Sequence, residues 1–217
     1  MFCIDRAGLV GADGPTHHGL YDVAFMRAIP NMVISSPLNE QDLRDMMYTA
    51  SNFTEGSWAI RYPRGRATGM QVEGFNEMAL GKGIELTQGD EIAVLSFGPI
   101  GKYVTQASEK LEQEGIRIGH YDMRFAKPLD TELIDKICES YDHIITLEDG
   151  AIMGGFGSAV AEYIAEKSDR PTLKIMGVPD RIIEHGTQEE LHDEIGIGVQ
   201  GLTETIRNYY HKNEVKV

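Results

Sequence analysis

Hydrophobic and polar positions along the chain follow two rhythms. Short apolar, β-branched runs alternate with stretches whose apolar residues recur at i, i+3, i+4 and i+7, the pattern of strands alternating with amphipathic helices. Early in the chain, Phe2-Cys3-Ile4-Asp5 reads as the end of a strand, followed by a glycine-punctuated loop over 8–19. The pattern then predicts a helix over 19–28, a strand over 31–35, a helix capped by Asn39 with Leu43, Met46, Met47 and Ala50 on its apolar face, and a strand over 58–62 stopped by Pro63. Residues 68–80 carry no period and read as a linker or edge segment.

A second unit begins near residue 83. Strands are expected over 83–86, 91–97, 116–123, 143–148 and 172–176. The run at 91–97 is almost continuously apolar, as in a strand covered on both faces. Between them lie helices over 100–114, stopped by Gly115, over 131–140, capped by Asp130, and over 157–167 after a glycine-rich turn. Thr187-Gln188-Glu189-Glu190 is a capping box opening a short helix that ends at Gly196, and a last helix over 199–211 buries Leu202, Ile206 and Tyr209. The expected class is α/β: a partial parallel sheet in the first unit, then a complete five-stranded α/β domain. Three strands and two helices cannot cover both faces of a parallel sheet. The first unit therefore reads as lacking an upstream half, and the chain as a fragment whose truncated sheet exposes an edge for another chain or an uncounted segment to cover.

Composition narrows the function classes. The 217 residues carry 20 Lys and Arg against 34 Asp and Glu, a net charge of −14 that disfavours nucleic acid as a partner. No run of about 18 apolar residues predicts a membrane span, and the start has no signal-peptide pattern. Two distant cysteines, Cys3 and Cys138, fit a reducing compartment, so a cytoplasmic location is expected. The 24 glycines point to tight turns and close backbone approaches.

The richest chemistry lies in Asp5-Arg6-Ala7-Gly8-Leu9-Val10-Gly11-Ala12-Asp13-Gly14-Pro15-Thr16-His17-His18-Gly19. It leaves the carboxyl end of a strand, where open α/β sheets place ligands. Arg6 suits a phosphate or carboxylate, and Asp13 with His17 suits hydrogen bonding or proton handling. Pro15 suits the first turn of a helix, whose end would favour a neutral His17. The same residues read alternatively as a surface turn capped by Asp13 with solvated histidines. Arg61-Tyr62-Pro63-Arg64-Gly65-Arg66 places three arginines at a strand end: a local anion site in an acidic protein, or a solvated basic turn. Gly154-Gly155-Phe156-Gly157-Ser158-Ala159 resembles a phosphate loop but departs from the full dinucleotide pattern and lacks a Walker lysine; it reads as close helix packing. Glu148, Asp149 and Asp122 read as turn caps, and the remaining histidines show no ligand spacing.

DRAGLVGADGPTHHG, followed by RYPRG, DMRFAKPLD, EDGAIMGGFGS and GTQEEL, resembles the 1-deoxy-D-xylulose-5-phosphate synthase family across nearly the whole chain. The resemblance implies the C-terminal part of a pyrimidine-binding domain over 1–78 and a transketolase C-terminal-like domain over 79–217. It implies a transferase that condenses pyruvate with D-glyceraldehyde 3-phosphate, with thiamine diphosphate and magnesium as cofactors of the full-length homodimeric enzyme. By that resemblance Arg6 and Arg64 bind the acceptor's phosphate, and Asp13 and His17 are catalytic at its hydroxyl and carbonyl. The cofactor-binding residues of the family are absent from this chain, which is expected to be inactive without the enzyme's N-terminal part. The C-terminal unit carries no matched catalytic residue and is expected to pack and to form dimer contacts. The alternative is a non-catalytic α/β module, or one subunit of a split transketolase-like enzyme.

Overall fold

A computed structural model describes residues 1–214. The first unit contains β1 (Phe2–Ile4), α1 (Asp22–Arg27), β2 (Met32–Ser35), α2 (Glu40–Asn52) and β3 (Ser57–Arg61). The second contains β4 (Ile84–Thr87), β5 (Ile92–Phe97), α3 (Gly101–Glu112), β6 (Ile118–Asp122), β7 (Phe125–Lys127), α4 (Thr131–Ser140), β8 (His143–Ala151), α5 (Phe156–Ala165), β9 (Thr172–Val178), α6 (Gln188–Glu194) and α7 (Val199–Glu214).

The expected five-stranded sheet forms in the order β4-β6-β5-β8-β9, parallel except for the edge strand β4. Alternation along β5 divides its side chains between two cores. Ile92 and Val94 pack with Val104, Leu111, Leu202 and Ile206 under α3 and α7. Ala93, Leu95 and Phe97 join Ile134, Ile137, Phe156 and Val160 from α4 and α5. This second core also takes in Val23, Met32, Ile34 and Ala59, so the two units share one apolar interior. Each large aliphatic side chain buried there contributes about 1.5–3 kcal/mol relative to exposure.

Helix starts follow their caps. The Asn39 side chain accepts the Asp42 N–H at 2.9 Å, Asp130 accepts the Leu133 N–H at 3.2 Å, and Thr187 and Glu190 complete the capping box.

Three features differ from the sequence reading. The first sheet has the order β1-β3-β2-β7, because β7 returns from the second unit to pair antiparallel with β2. A segment of this chain thus covers one edge of that sheet, while β1 remains at the other. A three-residue strand has too little pattern to stand out from the run before it. Secondly, α1 begins only at Asp22, and no helix starts at Pro15. Thirdly, residues 68–80 are not a free linker. They form a strap along α2: the N–H groups of Gly69, Glu73, Asn76 and Met78 donate to the side chains of Glu40, Gln41, Asp45 and Thr49. The strap satisfies its backbone on side chains, so it carries neither helical nor strand periodicity.

Candidate functional site

β1 and β3 lie side by side in parallel with Ile4 opposite Arg61, so both chains leave the sheet at one edge. The Ala7 N–H donates to the Tyr62 carbonyl at 3.0 Å and holds them together past the strand ends. The neck of the following loop closes where Gly8 and Gly19 exchange N–H···O bonds of 2.8 and 2.9 Å. Gly8 has φ +79°, and a Cβ there would lie 2.0 Å from an Asp149 carboxylate oxygen. Only glycine fits. Arg6 adopts φ +59°, an uncommon conformation for a residue with a side chain.

Asp13 and Arg64 come together: Asp13 Oδ2 lies 3.0 Å from an Arg64 guanidinium nitrogen, and Arg64 also reaches the Val10 carbonyl at 3.4 Å. Arg6 is at the same sheet edge but pairs with its neighbour Asp5 at 2.9 Å. His17 is exposed, and its Nδ1 is 3.0 Å from the Thr16 hydroxyl. Asp13 and Arg64 thus form a contacting pair, while Arg6 and His17, on the same loop as Asp13, are each bonded to a chain neighbour. Since no helix begins at Pro15, His17 has no helix terminus beside it. Exposed ion pairs contribute only about 0–1 kcal/mol, so an anion with two or more acceptor oxygens can draw either arginine from its carboxylate.

Arg61 corrects the reading of a three-arginine anion site. It is buried, bonded to Asp22 at 2.8 Å, and donates to the backbone carbonyls of Asp149 at 3.0 Å and Gly19 at 3.3 Å. It is a strut between the units and is spent on protein acceptors.

The second unit supplies contacts that sequence reading missed. Both sheets present their carboxyl ends to one seam, where a cavity of about 60 Å³ is lined by Ala7, Arg61, Phe97, Lys102, Asp149 and His192, among others. Asp149 accepts the Leu9 N–H, with its oxygens at 3.0 and 3.2 Å, and the His192 Nε2 at 3.0 Å. His192 Nδ1 faces the Tyr103 hydroxyl at 3.1 Å. Burial, with the charges of Glu189, Asp149 and Asp193, pushes the Tyr103 hydroxyl up to about 12. The Gln188 side chain donates to the Leu9 carbonyl, and His18 Nδ1 accepts the Val10 N–H at 3.2 Å. The capping box at Thr187 fixed where α6 starts but not what α6 faces, and Asp149, read as a turn cap, instead bonds the loop.

The glycine-rich turn before α5 is filled from within. Glu148 accepts the N–H groups of Phe156 and Gly157 at 2.9 and 2.8 Å, taking the place a phosphate would occupy. Burial pushes its carboxyl up to about 7, against those bonds and the nearby Arg61 charge. A Cβ on Gly157 would lie 2.5 Å from the Thr146 hydroxyl, as close helix packing requires. Among the described residues no group of three His, Cys, Asp or Glu side chains could hold a metal ion. With the Phe156 and Gly157 N–H groups taken by Glu148, this turn is not free to hold a diphosphate. No described helix is long and apolar enough to cross a membrane.

Comparison with known proteins gives a consistent pattern. Residues 1–69 match the family described as transketolase, pyrimidine binding domain, and residues 81–202 match transketolase, C-terminal domain. The chain is 49% identical over 210 residues to a 1-deoxy-D-xylulose-5-phosphate synthase of Cytophaga hutchinsonii, covering 96% of this chain and 33% of that protein. It is 50% identical to the Parabacteroides distasonis synthase, with 95% and 33% covered, and 44% identical to that of Aquifex aeolicus, with 95% and 33% covered. It thus spans about a third of the length of these relatives. Among solved structures, a split-gene transketolase described as an inactive β4 tetramer superposes with a TM-score of 0.79 at 28% identity, over 95% of this chain and 64% of that one. A Campylobacter jejuni transketolase shares the fold, with a TM-score of 0.73 at 16% identity, over 95% of this chain and 31% of that one.

Proposed function

Because the chain belongs to the transketolase family and corresponds to the C-terminal third of 1-deoxy-D-xylulose-5-phosphate synthases, we propose that it holds the phosphorylated acceptor in that reaction. The reaction of the whole enzyme joins a two-carbon unit from pyruvate to D-glyceraldehyde 3-phosphate with release of carbon dioxide. Arg64 and Arg6 take the acceptor's phosphate, while Asp13 and His17 bond its hydroxyl and carbonyl. Thiamine diphosphate and magnesium belong to the proposed whole enzyme and are held by residues other than those described here. Residues 1–78 are assigned to its pyrimidine-binding domain and 79–217 to its C-terminal domain, with a homodimer as the proposed assembly.

The observation that carries this reading is the Asp13–Arg64 pair at the carboxyl edge of the β1–β3 sheet, held half-exposed on a closed loop. In binding, Arg64 exchanges one carboxylate for a phosphate, which leaves Asp13 free to meet a hydroxyl of the same molecule. A full-length synthase assembled with this chain as its C-terminal third provides the test. Losing a charged phosphate contact costs about 1.5–3 kcal/mol, so Arg64→Ala should raise KM for the phosphorylated aldehyde about 10- to 150-fold and leave that for pyruvate nearly unchanged. Equal effects on both substrates would overturn the assignment. The likeness to the split-gene transketolase favours a second reading, one subunit of a two-chain enzyme. The coding sequence immediately upstream distinguishes the two: an in-frame continuation supports the first, a stop followed by a partner gene the second.

A further inference from the structure

The second unit grips the loop that carries Asp13 through a chain of buried and half-buried polar groups. Two donors are aimed at the Asp149 carboxylate: the Leu9 N–H and the His192 Nε2–H. Facing a carboxylate, Nε2 is the donor, and Nδ1 meets the Tyr103 hydroxyl on the other side of the ring. The backbone of Asp149 is fixed in turn by Arg61, which also holds the Gly19 carbonyl at the neck of the loop. From the other side Gln188 bonds the Leu9 carbonyl, and the Leu9 side chain is fully buried with Leu20, Val178, Ile183 and Leu191. His192 is 6% exposed, so these bonds compete little with water. Asp13 lies four residues beyond Leu9, on a single 3₁₀ turn over Gly11–Asp13.

We propose that Asp149, His192 and Gln188 are positioning residues that lock Leu9, so that the short turn after it delivers Asp13 to Arg64. The second unit is thereby part of the acceptor site, beyond the packing and dimer role its sequence suggests. This rests on the proposed function for the identity of the acceptor, but the locking itself is independent of any substrate. Two side chains, Asp149 and Gln188, bond the N–H and the carbonyl of one residue of a glycine-rich loop that has little conformational preference of its own. Asp149 lies in β8 between its ladder-paired residues, so truncating these side chains frees the loop and leaves the strand pairing in place.

The test reads amide hydrogen exchange in the 217-residue chain. Asp149→Ala and His192→Ala should each speed exchange at the Leu9 N–H by about tenfold or more, the loss of one buried hydrogen bond, while Val94 at the centre of β5 keeps its rate. His192→Gln, which keeps a donor near the Nε2 position, should restore slow exchange at Leu9. His192→Ala is the variant to read if Asp149→Ala does not fold. In the assembled synthase His192→Ala should raise the acceptor KM with kcat and the pyruvate KM nearly unchanged. The proposal is overturned if Leu9 exchange is unaltered, if Val94 accelerates in parallel, or if His192→Gln exchanges as fast as His192→Ala. Fast Leu9 exchange together with an Arg64→Ala enzyme whose acceptor KM is unchanged would instead strike down the substrate assignment and leave the locking intact.

Discussion

At the scale of single residues, the molecule separates charges it exposes from charges it buries. Asp13, Arg64, Arg6 and Asp5 sit in solvent-accessible pairs that exchange readily. Asp122 is different: it is fully buried at the end of β6, with Asp42 close by and Arg124 Nε 3.8 Å away. Burial first, and the Asp42 charge second, push its carboxyl from 3.8 up to about 7. The folded state then holds a proton that the unfolded chain has lost between those values. The stability this contributes is present at low pH and is lost as pH rises through about 7. His120, pushed down to about 4 by burial, acts in the opposite sense below 6.5, so a comparison between variants is needed. Asp122→Asn should gain stability relative to the parent between pH 5 and pH 7.5, by a margin of order 1 kcal/mol or more in urea titrations. An unchanged difference would show that Asp122 is ionised throughout. Arg6, Asp13, His17 and Arg64 were legible in the sequence as candidates because glycines and strand ends advertise a ligand edge. That Arg61 is a buried strut was not, because a guanidinium beside two others says nothing about the Asp22 that meets it.

Elements were legible wherever a cap and a period coincided. Asn39, Asp130 and Thr187 mark helix starts because each supplies an acceptor that the first turn lacks. Two of the failures share one cause: their partners are distant in sequence. β7 is a strand only because β2 offers an edge, and the strap over 68–80 is ordered only because α2 turns Glu40, Gln41, Asp45 and Thr49 toward it. Asp45 is the strap's central anchor, accepting the Asn76 backbone N–H at 2.9 Å and its side-chain amide. Asp45→Ala should detach the strap. A glutamyl endopeptidase would then cut after Glu73 or Glu77 about tenfold faster than in the parent, with α2 retained by circular dichroism. Unchanged cleavage would mean the other three anchors suffice.

Across the whole molecule, the two units are joined by a shared core, the Arg61 strut, the Asp149 contact with the loop, and β7. Phe125 of β7 is fully buried against Trp58, with ring centroids 5.8 Å apart. Phe125→Ala should cost about 3–5 kcal/mol. Because Trp58 is the only tryptophan, its fluorescence reports the first sheet alone, and in this variant it should change at lower denaturant than the far-ultraviolet signal of the remainder. Coincident transitions would mean the sheets unfold as one even without that ring. The β7 crossover also bears on how the protein is made. β3 is complete at residue 61, yet the strand that closes the sheet beside β2 ends 66 residues later, at Lys127. At about 5–20 residues per second, the ribosome leaves that flank bare for roughly 3–13 s in every round of synthesis. A nascent chain stalled in that window offers its open backbone to its neighbours on the polysome, which makes the interval a natural point for chaperone attendance.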